Sequence, residues 1–164
     1  MALARREFTI AKLSCAPGRG YIVRHRKNVI SLMVAFWTIR CYVSEQGVDE
    51  IQAWYIRQSA KVQGKFLSRL KVLAQLELKD WRLPLFRWLH GDCVPLGELR
   101  FEVQKVQHRP LGYRAGERVF TLTFCAKEKS NRFVPANACQ IALRHKANIE
   151  NGKGSSNVCW LRLE

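Results

Sequence analysis

The chain is short of acid. Thirteen Asp and Glu stand against 28 Lys and Arg in 164 residues, a formal net charge of +15. Such an excess points to a polyanionic partner: nucleic acid, an anionic membrane surface or an acidic protein. Long apolar runs are missing too. The longest covers roughly residues 29–39, far too short to span a bilayer at about 1.5 Å per residue. A secretory signal fits poorly, because polar and basic residues precede this run and no A-x-A-like site follows. Paired metal-ligand motifs are absent. None of Cys15, Cys41, Cys93, Cys125, Cys139 and Cys159 forms a C-x-x-C, and the single H-x-x-C (His90, Cys93) has no second pair to complete a zinc site. Spread singly through apolar stretches, the cysteines read as free, mostly buried thiols of a reducing compartment. The expectation is a soluble cytoplasmic protein with no membrane, metal or cofactor. There is no internal repeat.

What is present allows a compact core: 48% of residues are hydrophobic and 10% aromatic. Residues 1–32 stand apart. They carry seven Lys/Arg and one acid, +6 of the +15, which leaves +9 for residues 33–164. Pro17-Gly18-Arg19-Gly20 breaks the segment, and no sustained period appears in it. It reads as a basic extension: a nucleic-acid-binding arm, an Arg-rich targeting peptide or, the favoured reading, translation assigned from too early a start, with Met33 the true one. Residues 33–150 form the expected domain and 151–164 a loose tail.

Within that domain the pattern is regular. Residues 36–43 are apolar and β-branched, which predicts a strand. Val48, Ile51, Trp54 and Tyr55, then Val62, Phe66, Leu70 and Leu73, recur at helical spacing and predict a helical pair that breaks near residues 57–60. Residues 79–96 read mainly as loop. In Glu98-Leu99-Arg100-Phe101-Glu102-Val103, apolar and charged residues alternate as in a half-buried strand. Residues 106–114 predict a second strand, on an edge or bulged because of Pro110 and Gly112. Residues 118–126 predict a third. A last helix follows Pro135, with Ala138, Ile141, Ala142, His145 and Ile149 as its apolar stripe and Gly152 at its end. The expected fold is α+β: a small antiparallel sheet packed against an N-terminal helical hairpin and a C-terminal helix.

Five short blocks carry a resemblance: Gly97-Glu98-Leu99-Arg100-Phe101; Val106-Gln107-His108-Arg109-Pro110-Leu111-Gly112; Phe120-Thr121-Leu122 leading to Phe124-Cys125-Ala126-Lys127-Glu128-Lys129; Phe133-Val134-Pro135; and Ala138-Cys139. In order and spacing the chain resembles the phage-derived branch of the RelE/HigB toxin superfamily over about residues 35–150. His108 stands where such families usually have an aromatic. The resemblance implies a fold related to microbial ribonucleases. It implies cleavage of mRNA in the ribosomal A site and neutralisation by a helix-turn-helix antitoxin of the HigA kind. A sister group with the same fold, the ParE toxins, poisons gyrase instead, and fold does not fix function.

Metal-free RNA cleavage uses the ribose 2′-hydroxyl against the adjacent phosphate. It needs a base, cations at the developing phosphorane charge and an acid for the leaving oxygen. Arg suits the phosphate through its planar, permanently charged fork. The resemblance places Arg100 in the RNA cleft and basic residues at Lys127 and Lys129. Arg109 is the next candidate and His108 a candidate base, although strand alternation puts His108 and Arg109 on opposite faces. Arg87, Tyr113 and Arg132 are candidates for binding RNA. His90, His145, Asp92 and Glu98 read as surface or structural residues. Three functions follow: a ribosome-dependent mRNA endonuclease, a ParE-like gyrase inhibitor without catalysis, and an inactive phage-derived binding protein.

Overall fold

A computed structural model of the chain describes residues 22–25, 28–31 and 35–160. The chain divides into two units, residues 1–32 and 33–164. In the first, strands β1 (Ile22–His25) and β2 (Asn28–Ser31) pair antiparallel, Ile22 opposite Ser31 and His25 opposite Asn28. The Pro17–Gly20 break and Cys15 lie outside the described residues.

The second unit is built on one eight-stranded mixed sheet, not the small antiparallel sheet expected. Along its main path the strands run β10 (Ser155–Val158), β3 (Thr38–Val43), β8 (Val119–Lys129), β7 (Val106–Gly116), β5 (Leu96–Leu99) and β4 (Phe86–Trp88). Two short strands extend it: β6 (Phe101–Val103) pairs with β7, and β9 (Arg132–Val134) with β8. β3 runs parallel to β8, Thr38 opposite Val119, while every other pairing is antiparallel. Helices α1 (Glu50–Ile56) and α2 (Ala60–Gln75) follow β3 instead of leading the fold. Parallel pairing of β3 with a strand some 80 residues later needs just such a crossover. α3 (Ala138–Glu150) comes after β9.

Local sequence explains the elements. Asp49 caps α1, its carboxylate accepting from the Gln52 N–H at 2.8 Å. Val62, Phe66, Leu70, Leu73 and Ala74 bury one side of α2. They join Ile39, Ile51, Phe86, Leu99, Phe101, Phe120 and Leu122 in the larger core. A second core gathers Leu96, Leu111, Tyr113 and Ala126 with Ala138, Cys139 and Ala142 of α3. The sheet therefore separates two helical layers. Gly97 and Gly112 let aromatic rings lie flat on it: a Cβ at Gly97 would sit 2.2 Å from the Phe86 ring, and one at Gly112 2.5 Å from the Thr121 carbonyl oxygen.

Several local expectations change. Residues 79–96 include β4, an edge strand. Of the two expectations for β7, the edge is wrong, since the strand is central, while the irregularity is found: register shifts fall between Leu111 and Gly112, beside Pro110, and between Arg114 and Gly116. Residues 155–158 join the sheet as its other edge, so the C-terminal segment is no loose tail. The cysteines are not all free. Cys41–Cys159 and Cys93–Cys139 are disulfides, and Cys125 is a free thiol. The first ties β3 to the end of β10 and the second ties α3 to the turn before β5. Among the described residues no helix is long and apolar enough to cross a membrane.

Two hairpin turns hold ordinary residues in left-handed conformation: Gln104 and Lys105 (φ 51° and 64°) between β6 and β7, and Ser130 and Asn131 (φ 49° and 58°) between β8 and β9. Two-residue loops of this shape favour Asn-Gly, because a Cβ at positive φ costs about 1–2 kcal/mol. Gln104→Asn with Lys105→Gly should therefore raise stability by about 1 kcal/mol in urea titration. No gain, or a loss, would mean that the turn is not of this type.

Candidate functional site

The alternation at residues 98–103 places Glu98, Arg100 and Glu102 on one face of the sheet. Register brings others to the same face. Arg87 lies opposite Glu98, Gln107 opposite both Glu102 and Glu128, and Arg109 opposite Ala126. The result is a charged cluster with a buried centre, Glu98 and Arg109, and a more open rim. Glu98 is fully buried, and its Oε1 accepts from Arg100, lies 3.0 Å from Arg87 Nε and 3.9 Å from Arg109 Nε. Arg109 is 2% exposed. It donates from Nε to Glu128 Oε2 at 2.8 Å and from its terminal nitrogens to the His108 carbonyl (2.9 Å) and Gln107 Oε1 (3.0 Å). Arg100 also lies 3.8 Å from Glu128, and Gln107 donates to Glu102. Glu98 Oε2 is buried without a hydrogen-bond partner.

Charges enclosed this way are held by one another, since each alone would lose several kcal/mol of hydration. Arg109 has no open side for a phosphate. Arg100 and Arg87 keep part of their guanidinium surface: their side chains are 21% and 49% exposed.

The opposite face carries the other candidates. His108 lies opposite both Phe101 and Lys127. Its ring is buried, stacked on Phe101 at 5.0 Å and 6°, with the Trp54 ring 6.3 Å away. Its Nδ1 has no partner. Burial, followed by Lys127 and Arg109, pushes its pKa below the usual value. His108 is thus a neutral imidazole near pH 7. Lys127, Lys129 and Arg132 sit on the β8–β9 hairpin, Lys129 opposite Arg132. All three are exposed and make no ion pair among the described residues.

Tyr113 is buried in the second core, with Lys146 Nζ 5.4 Å from its ring centre. Burial, then Glu150, raises its phenol pKa. His145 is buried too: Nδ1 lies 2.8 Å from the Thr123 carbonyl and the ring stacks on Tyr42. His90 and Asp92 are exposed at the turn before β5. The structure therefore brings Arg87, Arg100 and Arg109 together around Glu98 and Glu128. It gathers Lys127, Lys129 and Arg132 on a separate hairpin and keeps Tyr113 away from both. Sequence reasoning placed Glu98 at the surface, where the structure buries it, and did not single out Glu128. Their signal was weak but present, Glu98 by its place in the alternating strand and Glu128 by the Lys-Glu-Lys around it. Among the described residues no cluster of three or more His, Cys, Asp and Glu could hold a metal ion. No family model, curated protein or solved structure matches the chain.

Removing one partner of a buried ion pair strands the other, at about 3–5 kcal/mol. Arg109→Leu should lower stability by that amount in denaturant titration, and adding Glu128→Leu should restore much of it. A single variant as stable as the parent would show that Arg109 is not held in the cluster.

The buried histidines also set a pH dependence. The folded pKa values of His108 and His145 are lowered, so the unfolded chain takes up protons first as pH falls below about 6.5. Stability should be full at pH 7 and above and decline as pH falls through about 6.5 towards 5.5. His108→Phe should flatten part of the decline. A parent profile already flat over this range would exclude a buried neutral imidazole.

Proposed function

We propose that the chain is an RNA-directed toxin of the RelE/HigB kind that cuts mRNA on the ribosome, with the ribose 2′-hydroxyl as nucleophile. The observation that carries this reading is the β8–β9 hairpin, where Lys127, Lys129 and Arg132 are exposed and make no ion pair with a carboxylate among the described residues. Unpaired cations at a sheet margin are what a phosphate chain would meet first. Arg100 lies 3.8 Å from Glu128, which strand alternation turns to the sheet face opposite that of its neighbours Lys127 and Lys129, so the RNA would have to cross the sheet margin to meet both. In this reading the hairpin binds the backbone, and Arg100, oriented by Glu98, stabilises charge on the scissile phosphate. His108, neutral but buried, has no part in it. Its partners would be mRNA, the ribosome and an acidic segment of a helix-turn-helix antitoxin. Its place would be a bacterial cytoplasm, where disulfides persist only if reductants are kept from them.

One observation favours a second reading. Arg100 and Arg109 are already engaged by Glu98 and Glu128, an arrangement that offers no unengaged cation for catalysis. A ParE-like inhibitor of gyrase would need no free transition-state cation.

Induced expression in a bacterium, with mRNA ends mapped and supercoiling measured, separates the readings. Cuts within translated messages are expected from the parent. Lys127→Glu, Lys129→Glu and Arg132→Glu together should abolish them while the melting temperature holds. Arg100→Ala should cost about 10²–10³ in cleavage rate. Loss of supercoiling without cuts would establish the gyrase reading, and a harmless product would rule out both.

A further inference from the structure

The charged cluster and the hairpin leave one concave feature unexplained. A cavity of about 400 Å³ is lined by Leu78, Trp88, Leu89, Val94, Pro95, Leu96 and Arg114. Its volume falls within the range of about 300–1,000 Å³ usual for small-molecule sites. Six of these side chains are apolar, and Arg114 is the one charge. We infer that this cavity binds a small ligand with a flat apolar body and a single anionic group, an aromatic carboxylate in chemical class.

Three observations support the class. The first is the wall. Trp88 is held edge-on by Phe86 at 4.9 Å and stacked over Trp81 at 6.3 Å and 16°. A Cβ at Gly97 would come within 2.2 Å of the Phe86 ring and 3.1 Å of the Trp88 ring, so the bare glycine seats Phe86, which in turn holds Trp88 edge-on. A fixed aromatic wall selects for a flat partner and loses little entropy on binding. The second is the charge. Arg114 is exposed, and among the described residues its guanidinium donates to the Gly116 and Glu117 carbonyls, at 3.0 and 3.5 Å. No carboxylate pairs with it among the described residues. Arg87, Arg100 and Arg109 have their carboxylates inside the protein; Arg114 is left to take one from outside, and its fork matches a carboxylate. The third is rigidity. Val94 and Pro95 follow the turn at Gly91–Cys93, and the Cys93–Cys139 disulfide fastens that turn to the start of α3. The rim is thereby preorganised.

The site is independent of the RNA reading. Arg114 and His108 are six residues apart on β7, roughly 20 Å at about 3.3 Å per residue, so the cavity and the cationic hairpin lie at opposite ends of that strand. Either can fail without the other.

The test is calorimetric titration of the whole chain with 2-naphthoate and with its neutral analogue 2-naphthylmethanol. The parent should bind the acid saturably and more tightly than the alcohol. A hydrogen bond to a charged group contributes about 1.5–3 kcal/mol, so Arg114→Gln should weaken the acid about 10- to 100-fold and leave the alcohol unchanged. Val94→Asp, at an exposed rim position, should also weaken the acid selectively by repulsion. Gly97→Ala should weaken both compounds, with melting curves run to confirm folding. No saturable binding by the parent would overturn the site. Equal losses of acid and alcohol in Arg114→Gln would overturn the assigned anion contact.

Discussion

The Glu98 carboxylate is the point on which much of the sheet turns. It is fully buried, and a carboxylate moved from water into protein loses several kcal/mol of hydration unless cations replace it. Arg87 from β4, Arg100 from the β5–β6 junction and Arg109 from β7 supply them, and Glu128 from β8 balances the arginines. Four strands are therefore committed to one register. A one-residue slip of β7 would carry Arg109 into the apolar core beneath α2 and put His108 or Pro110 against Glu98. The cluster need not add net stability to have this effect. Mispaired arrangements strand a charge, and that is costly enough to exclude them.

The same constraint explains what could and could not be read from the sequence. The α1–α2 pair, the alternation at residues 98–103 and α3 have periods set by near neighbours, and each was visible in a short window, although the break at Arg100 that divides the alternating stretch into β5 and β6 was not. Alternation at residues 98–103 gave the two faces correctly but could not say what covers the charged one. Solvent and a set of arginines leave the same pattern. The parallel pairing of β3 with β8, the edge strands β4 and β10, and both disulfides depend on residues far apart in the chain. Cys41 and Cys159 are 118 residues apart and have Cα atoms 5.2 Å apart. No local signal reports that. The turns at Gln104-Lys105 and Ser130-Asn131 were hidden for a different reason: neither contains the glycine that normally marks a left-handed loop.

Net charge was the strongest compositional signal, yet it overstates the cationic surface. Arg87, Arg100 and Arg109 each count towards the total and each has a carboxylate partner within 3.0 Å. What matters for a polyanion is charge that is both exposed and unpaired. In the candidate region that condition selects Lys127, Lys129 and Arg132. At the far end of β7 it selects Arg114.

Catalysis imposes a stricter condition than binding. A transition-state cation must change its interaction as the reaction proceeds, whereas a cation already saturated by a carboxylate contributes the same before and after. Arg109, with Glu128, Gln107 and the His108 carbonyl around it, is fixed in that second sense. Arg100 differs, because it is partly exposed and shares Glu98 with two other arginines. A phosphate arriving at Arg100 would compete for one of several donors to Glu98, and Arg87 and Arg109 would remain to hold that carboxylate. Arg100 can therefore exchange partners without stranding a buried charge. That, more than its place in the strand, separates Arg100 from Arg109, whose partners leave it nothing to exchange.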